Sequence, residues 1–218
     1  MLSETTDYCR LILLRHPELD SKFTNIAVGG SEAAVGRRGQ TQVMAWFDLL
    51  ESVPVSTIYC ATQSQCVDPA RALAVRKQVD VQEDPRLNDQ HLGSWQGRTW
   101  EDIVKTDGEA LREFFAEFGE STPPGGENLG EALERMLGWW QEVAPGALQK
   151  TLLVIASGSM ISGFATALLG IRLSRSVSLN LPHGGLGILD CFANGARITS
   201  WNPTAILGST PPESAGPS

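Results

Sequence analysis

The chain has 218 residues, 42% of them hydrophobic, enough to bury one sizeable core and better suited to a single α/β domain over residues 1–207 than to two small ones. A net charge of -8 and a pI of about 4.9, with no block of Lys or Arg, exclude an obvious nucleic-acid or anionic-membrane surface and favour a small-molecule partner. The N-terminus has neither a basic stretch nor a long apolar run, and no segment is apolar for the length a bilayer requires, so a cytoplasmic protein is expected.

In chain order, Arg10 to Leu14 is a short apolar run ending in the polar step Arg15-His16-Pro17, the pattern of a buried parallel strand that delivers side chains at its C-terminal end. Gly36 to Ser52 has helical spacing, with Val43, Phe47 and Leu50 recurring at three- and four-residue intervals beside Trp46. Ser56 to Ala61 reads as a second strand, and Asp68 to Gln78 as a helix with Asp68 as N-cap and Pro69 at its first position. The stretch from Val79 to Pro123 is irregular, punctuated by Gly93 and Gly97, and holds one helical segment, Glu109 to Phe118; it reads as an insertion over the sheet. After the turn Pro123-Pro124-Gly125-Gly126, a helix is expected over Glu127 to Val143, a strand over Thr151 to Ala156 and a helix over Ser159 to Ile171. Val177 to Leu181, Gly187 to Cys191 and Arg197 to Trp201 read as closing strands, and Gly208 to Ser218 as a disordered Pro/Ser/Gly tail. Alternating strands and helices predict a three-layer α/β/α sandwich around a mainly parallel sheet.

Several segments together carry more than any one of them. After Leu13-Leu14-Arg15-His16-Pro17 come the glycine-bracketed stretch from Gly29 to Gly39, then Leu87-Asn88-Asp89-Gln90-His91-Leu92-Gly93-Ser94-Trp95-Gln96-Gly97, then Pro123-Pro124-Gly125-Gly126-Glu127-Asn128-Leu129. In kind, order and spacing, from about Leu11 to Leu189, they resemble the phosphoglycerate-mutase-like histidine phosphatase superfamily. The resemblance implies a nucleophilic histidine at His16, a first phosphate-clamping arginine at Arg15, and an acid at Asp89 that protonates the leaving oxygen, one methylene shorter than the family's usual glutamate. It implies a substrate that is a small anionic metabolite, with no metal and no organic cofactor. The chemistry suits these groups, because phosphoryl transfer spreads negative charge over equatorial oxygens that preorganised cations stabilise.

Two positions depart from the family pattern. Where S-P-L-x-R-A is expected, Ala61-Thr62-Gln63-Ser64-Gln65-Cys66 puts Gln65 in the place of the second arginine; where S-H-G-G is expected, Ala156-Ser157-Gly158-Ser159 puts Ser157 in the place of the second histidine. Removing one preorganised transition-state donor costs on the order of a hundred- to a thousandfold in rate, so phosphomonoester hydrolysis is expected to be weak or lost. Three readings stay open: an impaired phosphatase, a pocket repurposed for other chemistry with His16 as general base, and a pseudoenzyme that binds a ligand or protein. His183, in Leu181-Pro182-His183-Gly184-Gly185, is the candidate to restore an imidazole to the pocket, against a solvent-facing turn histidine.

The remaining candidates have plainer explanations beside the functional one. Arg71 lies over a turn from Gln65 and is expected in solvent rather than as a replacement clamp. His91 suits a structural role, and Glu127 either lines the site or favours a helix start through the dipole. Ser157, His16 and Asp89 are the residue types of a hydrolase triad, but no G-x-S-x-G elbow accompanies them. Trp95, Trp100, Trp139 and Trp140 suit core packing for the most part, with a lid over an organic substrate as the alternative. Cys9, Cys60, Cys66 and Cys191 show no CxxC spacing, so neither zinc nor disulfides are indicated. The oligomeric state, a homodimer included, is open.

Overall fold

The apolar run at the start of the chain forms strand β1 (Cys9–Arg15), and the run before Ser157 forms β4 (Thr151–Ala156). Both are buried almost throughout, which is why they read as continuous hydrophobic sequence rather than as alternation. These observations come from a computed structural model that describes residues 7–116 and 119–203. The other strands are β2 (Thr57–Cys60), β3 (Val81–Glu83), β5 (Leu186–Phe192) and β6 (Gly195–Trp201), and the sheet order is β3-β2-β4-β1-β5-β6. The pairs β2 with β3, β2 with β4 and β1 with β4 are parallel, while β1 with β5 and β5 with β6 are antiparallel. The mainly parallel α/β sheet is as expected.

The helices are α1 (Arg37–Leu49), α2 (Ser64–Lys77), α3 (Trp100–Ala116), α4 (Leu129–Val143) and α5 (Gly158–Leu168). Helix α1 packs beside α2, and α4 beside α5. Helix α4 begins in a capping box, in which the Asn128 side chain accepts from the Glu131 amide and the Glu131 carboxylate accepts from the Asn128 amide. One large core gathers its fully buried strand residues from β1, β2, β4 and β5, and a separate cluster of Ala27, Leu92, Trp95, Ile103 and Leu111 is formed mostly by the segment that reads as an insertion.

Three expectations are corrected. Helix α2 starts at Ser64 with Gln63 as its N-cap, not at Asp68, and Pro69 lies inside it. Burial of Gln65, Cys66 and Val67 in the first turn outweighs the one backbone hydrogen bond a proline removes there. Leu173–Leu179 is a 3-10 helix rather than the start of a strand at Val177. The Leu179 carbonyl accepts from Ser162 and that of Leu181 from Arg15, so these groups serve side chains instead of a sheet ladder. Helix α3 begins at Trp100, well before Glu109, with a break in its dihedrals at Asp107, where Arg98 pairs with Asp107 and Asp102. Strand β3 within the same stretch is an addition. The end of the Glu109–Phe118 segment and the tail from Gly208 lie outside the described residues.

Candidate active site

Open α/β sheets bind ligands beyond the carboxyl ends of their strands, and the expected residues converge there. Arg15 and His16 end β1, Ser157 follows β4, Gln65 lies in the first turn of α2 after β2, and Asp89 lies on the loop after β3. Together with His183 they border one cavity of about 860 Å³. A smaller cavity of about 440 Å³ adjoins Arg15, His16, Asp89, Ser157 and Ser159.

His16 is buried, and its Nδ1–H donates to the carbonyl of Pro17 at 2.9 Å. In that tautomer Nε2 carries the lone pair, which is the form a nucleophile or base requires. Burial, against the opposing effect of the Pro17 carbonyl and with help from Arg15, pushes the pKa of His16 down to about 4. Thus the ring is neutral at pH 7. The Arg15 guanidinium donates through Nη1 to the Leu181 carbonyl at 2.7 Å and through Nη2 to His183 Nε2 at 3.1 Å. Its Nε is buried and has no hydrogen-bond partner. Burial lowers the Arg15 pKa, offset in part by Asp89, but a guanidinium remains a cation.

His183 does enter the site. Its ring centroid is 4.9 Å from that of His16, and its Nδ1 is 3.4 Å from the His16 carbonyl. Burial, then Arg15 and His16, push its pKa down to about 4, so it is a neutral acceptor for Arg15. The turn that carries it is held by α1, where Gln42 Nε2 donates to the His183 carbonyl and Trp46 Nε1 to the Gly184 carbonyl. Gly184 has φ +71°, and an added Cβ would meet Gln42 at 2.8 Å, so this turn requires glycine.

Asp89 Oδ1 accepts from Ser157 Oγ at 2.6 Å, from Ser159 Oγ at 2.7 Å and from the Gln90 amide at 2.9 Å. Ser157 is also the N-cap of α5, its Oγ accepting from the Met160 amide at 3.4 Å. Because Ser157 donates directly to Asp89 while His16 donates to Pro17, the three do not form a triad relay. Gln65 is buried, with Oε1 accepting from the Ala33 amide and Nε2 donating to the Ser31 carbonyl, both at 3.0 Å.

Other candidates fall away from the cavity. Arg71 pairs with Glu83 at 2.7 Å and is largely exposed. His91 is exposed, and its Nδ1 accepts from the Gly93 amide. Trp95 and Trp139 are fully buried in separate clusters, while Trp100 borders the cavity. Glu127 pairs with Arg135 at 2.7 Å. The four cysteines are free and buried. Among the described residues, no three His, Cys, Asp or Glu side chains come together to hold a metal, and no helix is long and apolar enough to cross a membrane.

Ser159, Gln63 and Arg135 were not singled out by sequence. Ser159 is the second hydroxyl on Asp89, and Gln63 reaches from the α2 N-cap to the Gly30 carbonyl. Arg135 donates to the carbonyls of Arg86, Asn88 and Asp89 while paired with Glu127, which fixes the loop carrying Asp89. No sequence signal marks such long-range contacts; for Ser159, the two-residue spacing from Ser157 at a helix start was the available hint.

Comparison with known proteins bears on the family and the fold. A sequence profile of the histidine phosphatase superfamily (branch 1) matches residues 11–204. The chain is 22% identical to an adenosylcobalamin/alpha-ribazole phosphatase of Escherichia coli K12 over 197 residues, 90% of this chain and 97% of the relative. It is 26% identical to a glucosyl-3-phosphoglycerate phosphatase of Mycobacterium tuberculosis H37Rv over 221 aligned positions, 92% of this chain and 97% of the relative. Among solved structures, a mycobacterial glucosyl-3-phosphoglycerate phosphatase in complex with VO3 superposes with a TM-score of 0.80 at 25% identity, covering 89% of this chain and 98% of that one. An alpha-ribazole phosphatase from Shigella flexneri, at 21% identity and a TM-score of 0.81 over 92% of this chain and all 100% of its own, shares the fold. With the profile spanning nearly the whole described chain, this protein belongs to the histidine phosphatase superfamily, branch 1.

Proposed function

We propose that this chain acts on a small anionic metabolite through the Arg15–His16 site, with phosphomonoester hydrolysis by way of His16 weak or lost. The observation that carries the reading is where two side chains spend their hydrogen bonds. Gln65, at the position the family pattern gives to a second arginine, has both ends of its amide tied to the backbone at Ser31 and Ala33. Ser157, at the position of a second histidine, commits its one proton to Asp89. At most a neutral N–H of Gln65 is left where a guanidinium would bring charge and a bidentate fork. Arg15 then remains as the one buried cation of the phosphate clamp.

Losing two charged donors costs a phosphoryl transition state well over a hundredfold, although groups that act as a unit are not additive. The alternative with His16 as general base meets an imidazole whose pKa of about 4 makes it a poor base at neutral pH and, through the same low basicity, a weaker nucleophile, in keeping with slow phosphoryl transfer. A binding protein without turnover is the remaining alternative. The named activities of the relatives, alpha-ribazole and glucosyl-3-phosphoglycerate phosphatases, support a small phosphorylated metabolite as the ancestral kind of ligand.

The test is phosphate release from a panel of phosphomonoesters by the wild type, His16→Ala, and the double variant Gln65→Arg with Ser157→His. Little or no release by the wild type, with activity rising about a hundredfold or more in the double variant, is the expected result. Brisk wild-type turnover that vanishes in His16→Ala would overturn it.

A further inference from the structure

The two halves of the large cavity differ in chemistry. At its floor are Arg15, His16 and Asp89. An apolar part of the wall is built by Phe23 and Ile26 from the loop after β1, Trp100, Phe114 and Phe115 from α3, and Leu129 at the start of α4. This part holds no charged side chain. Its rings support one another, with Phe114 edge-on to the buried Trp95 at 5.5 Å and to Phe115 at 5.4 Å, and Phe115 tilted against Trp100 at 6.1 Å. A cavity of about 860 Å³ lies within the range that encloses drug-sized organic ligands, far larger than a phosphoryl group needs.

The charges around the cavity balance. Arg15, Arg37 and Arg38 face Glu18, Asp20 and Asp89, and the two histidines are neutral. Arg38 lies 3.4 Å from Glu18, and Arg37 is exposed, where solvent and salt screen it. What remains toward the floor is the half-buried guanidinium of Arg15, whose Nε packs against Gly158 and whose terminal nitrogens keep N–H groups beyond the bonds to Leu181 and His183. With Arg15 and Asp89 offsetting each other there, a dianion would leave two negative charges in excess and a monoanion only one, so the singly charged ligand is favoured.

We infer that the ligand is an amphiphilic monoanion, a singly charged oxyanion carried on an aromatic or branched apolar body, with the anion at Arg15 and the body against the Phe23–Trp100–Phe115 wall. This rests on the reading above that Arg15 and His16 form the ligand site of an altered phosphate pocket. It explains why a pocket with one buried cation keeps a wide apolar wall, since the body supplies the binding energy that a second charge would otherwise supply.

The experiment is isothermal titration at pH 8 with phenyl sulfate, phenyl phosphate and methyl sulfate, on the wild type, Phe23→Ala and Phe115→Ala. Phe115 is 56% exposed, so its truncation leaves the core intact should Phe23→Ala fold poorly. Phenyl sulfate is expected to bind at least tenfold more tightly than methyl sulfate, which lacks the ring, and than phenyl phosphate, which is a dianion at this pH. Each wall variant should lose several-fold in phenyl sulfate affinity and leave methyl sulfate unchanged. Equal binding of phenyl and methyl sulfate, no binding of either, or tighter binding of phenyl phosphate would each overturn the inference. The phosphate-release assay fails separately: brisk hydrolysis would remove the altered-pocket reading, while the ring dependence is read from the sulfate pair alone.

Discussion

Lowering the pH should unfold this protein in a way traceable to two imidazoles. His16 and His183 each have a folded-state pKa of about 4, against an ordinary value of about 6.5 in the unfolded chain. Above pH 6.5 both states are neutral and the groups contribute no pH dependence. Between 6.5 and 4 the unfolded chain binds a proton that the folded chain refuses, so stability falls with pH by about 1.4 kcal/mol per pH unit per histidine. From pH 7 to pH 5 that amounts to about 2 kcal/mol for each ring, and below pH 4 the loss levels off. The measurement is urea denaturation followed by tryptophan fluorescence at pH 7, 6 and 5, in the wild type and in His16→Asn and His183→Asn. Carboxylates also titrate toward the acid end, but they are common to all three proteins, so the difference between wild type and variant isolates the histidine. Each variant should lose about 2 kcal/mol of the wild-type pH dependence across that interval. A His16→Asn protein whose stability falls with pH as steeply as the wild type would refute the burial argument for that ring.

Three further expectations follow from the site. An added Cβ in Gly158→Ala would lie 2.9 Å from Arg15 Cζ and Nε while Leu181 and His183 hold the guanidinium, so oxyanion affinity should drop about tenfold or more and stability by about 1 kcal/mol after the gain in helix propensity; titration with phenyl sulfate and urea curves would read both, and unchanged affinity would count against the packing argument. Arg135→Ala removes donors to four carbonyls, those of Pro85, Arg86, Asn88 and Asp89, and to Glu127, and should cost about 3 kcal/mol and speed amide exchange at Arg86 to Asp89; unaltered exchange there would mean the loop stands without it. Asp190, almost fully buried between Arg10, Arg197 and Thr199, should cost about 1 to 3 kcal/mol when replaced by Ala, because the two arginines it leaves behind reach solvent, and the loss is seen as a shifted urea midpoint.

What the sequence made legible follows from range. Strands β1 and β4 are continuous apolar runs because both faces are covered, and their polar ends, Arg15-His16 and Ser157, therefore stand out as candidates for a site. The start of α2 was misplaced because a proline after an aspartate is a strong local signal, whereas the contacts that begin the helix at Ser64, such as Glu32 accepting from the Ser64 amide, come from 32 residues away. Strand β3 has three residues and a single apolar one, too short for any periodicity. Val177 to Leu181 has the alternating hydrophobicity of a strand, yet its carbonyls at Leu179 and Leu181 are taken by Ser162 and Arg15. His183 could be placed near the site from its turn, but its bond to Arg15 depends on Gln42 and Trp46 of a distant helix.

The small cluster of Ala27, Leu92, Trp95, Ile103 and Leu111 stands apart from the core that supports the sheet, and it is this cluster that backs the aromatic wall. The α3 part of the proposed ligand site thus rests on a different foundation from Arg15 and His16. Substitutions in α3 should therefore strain this smaller cluster first, while Arg15 and His16 stand at the end of a central strand. Such a division lets a lineage trade one ligand body for another by small steps, each tolerable to the fold, without rebuilding the charged floor beneath.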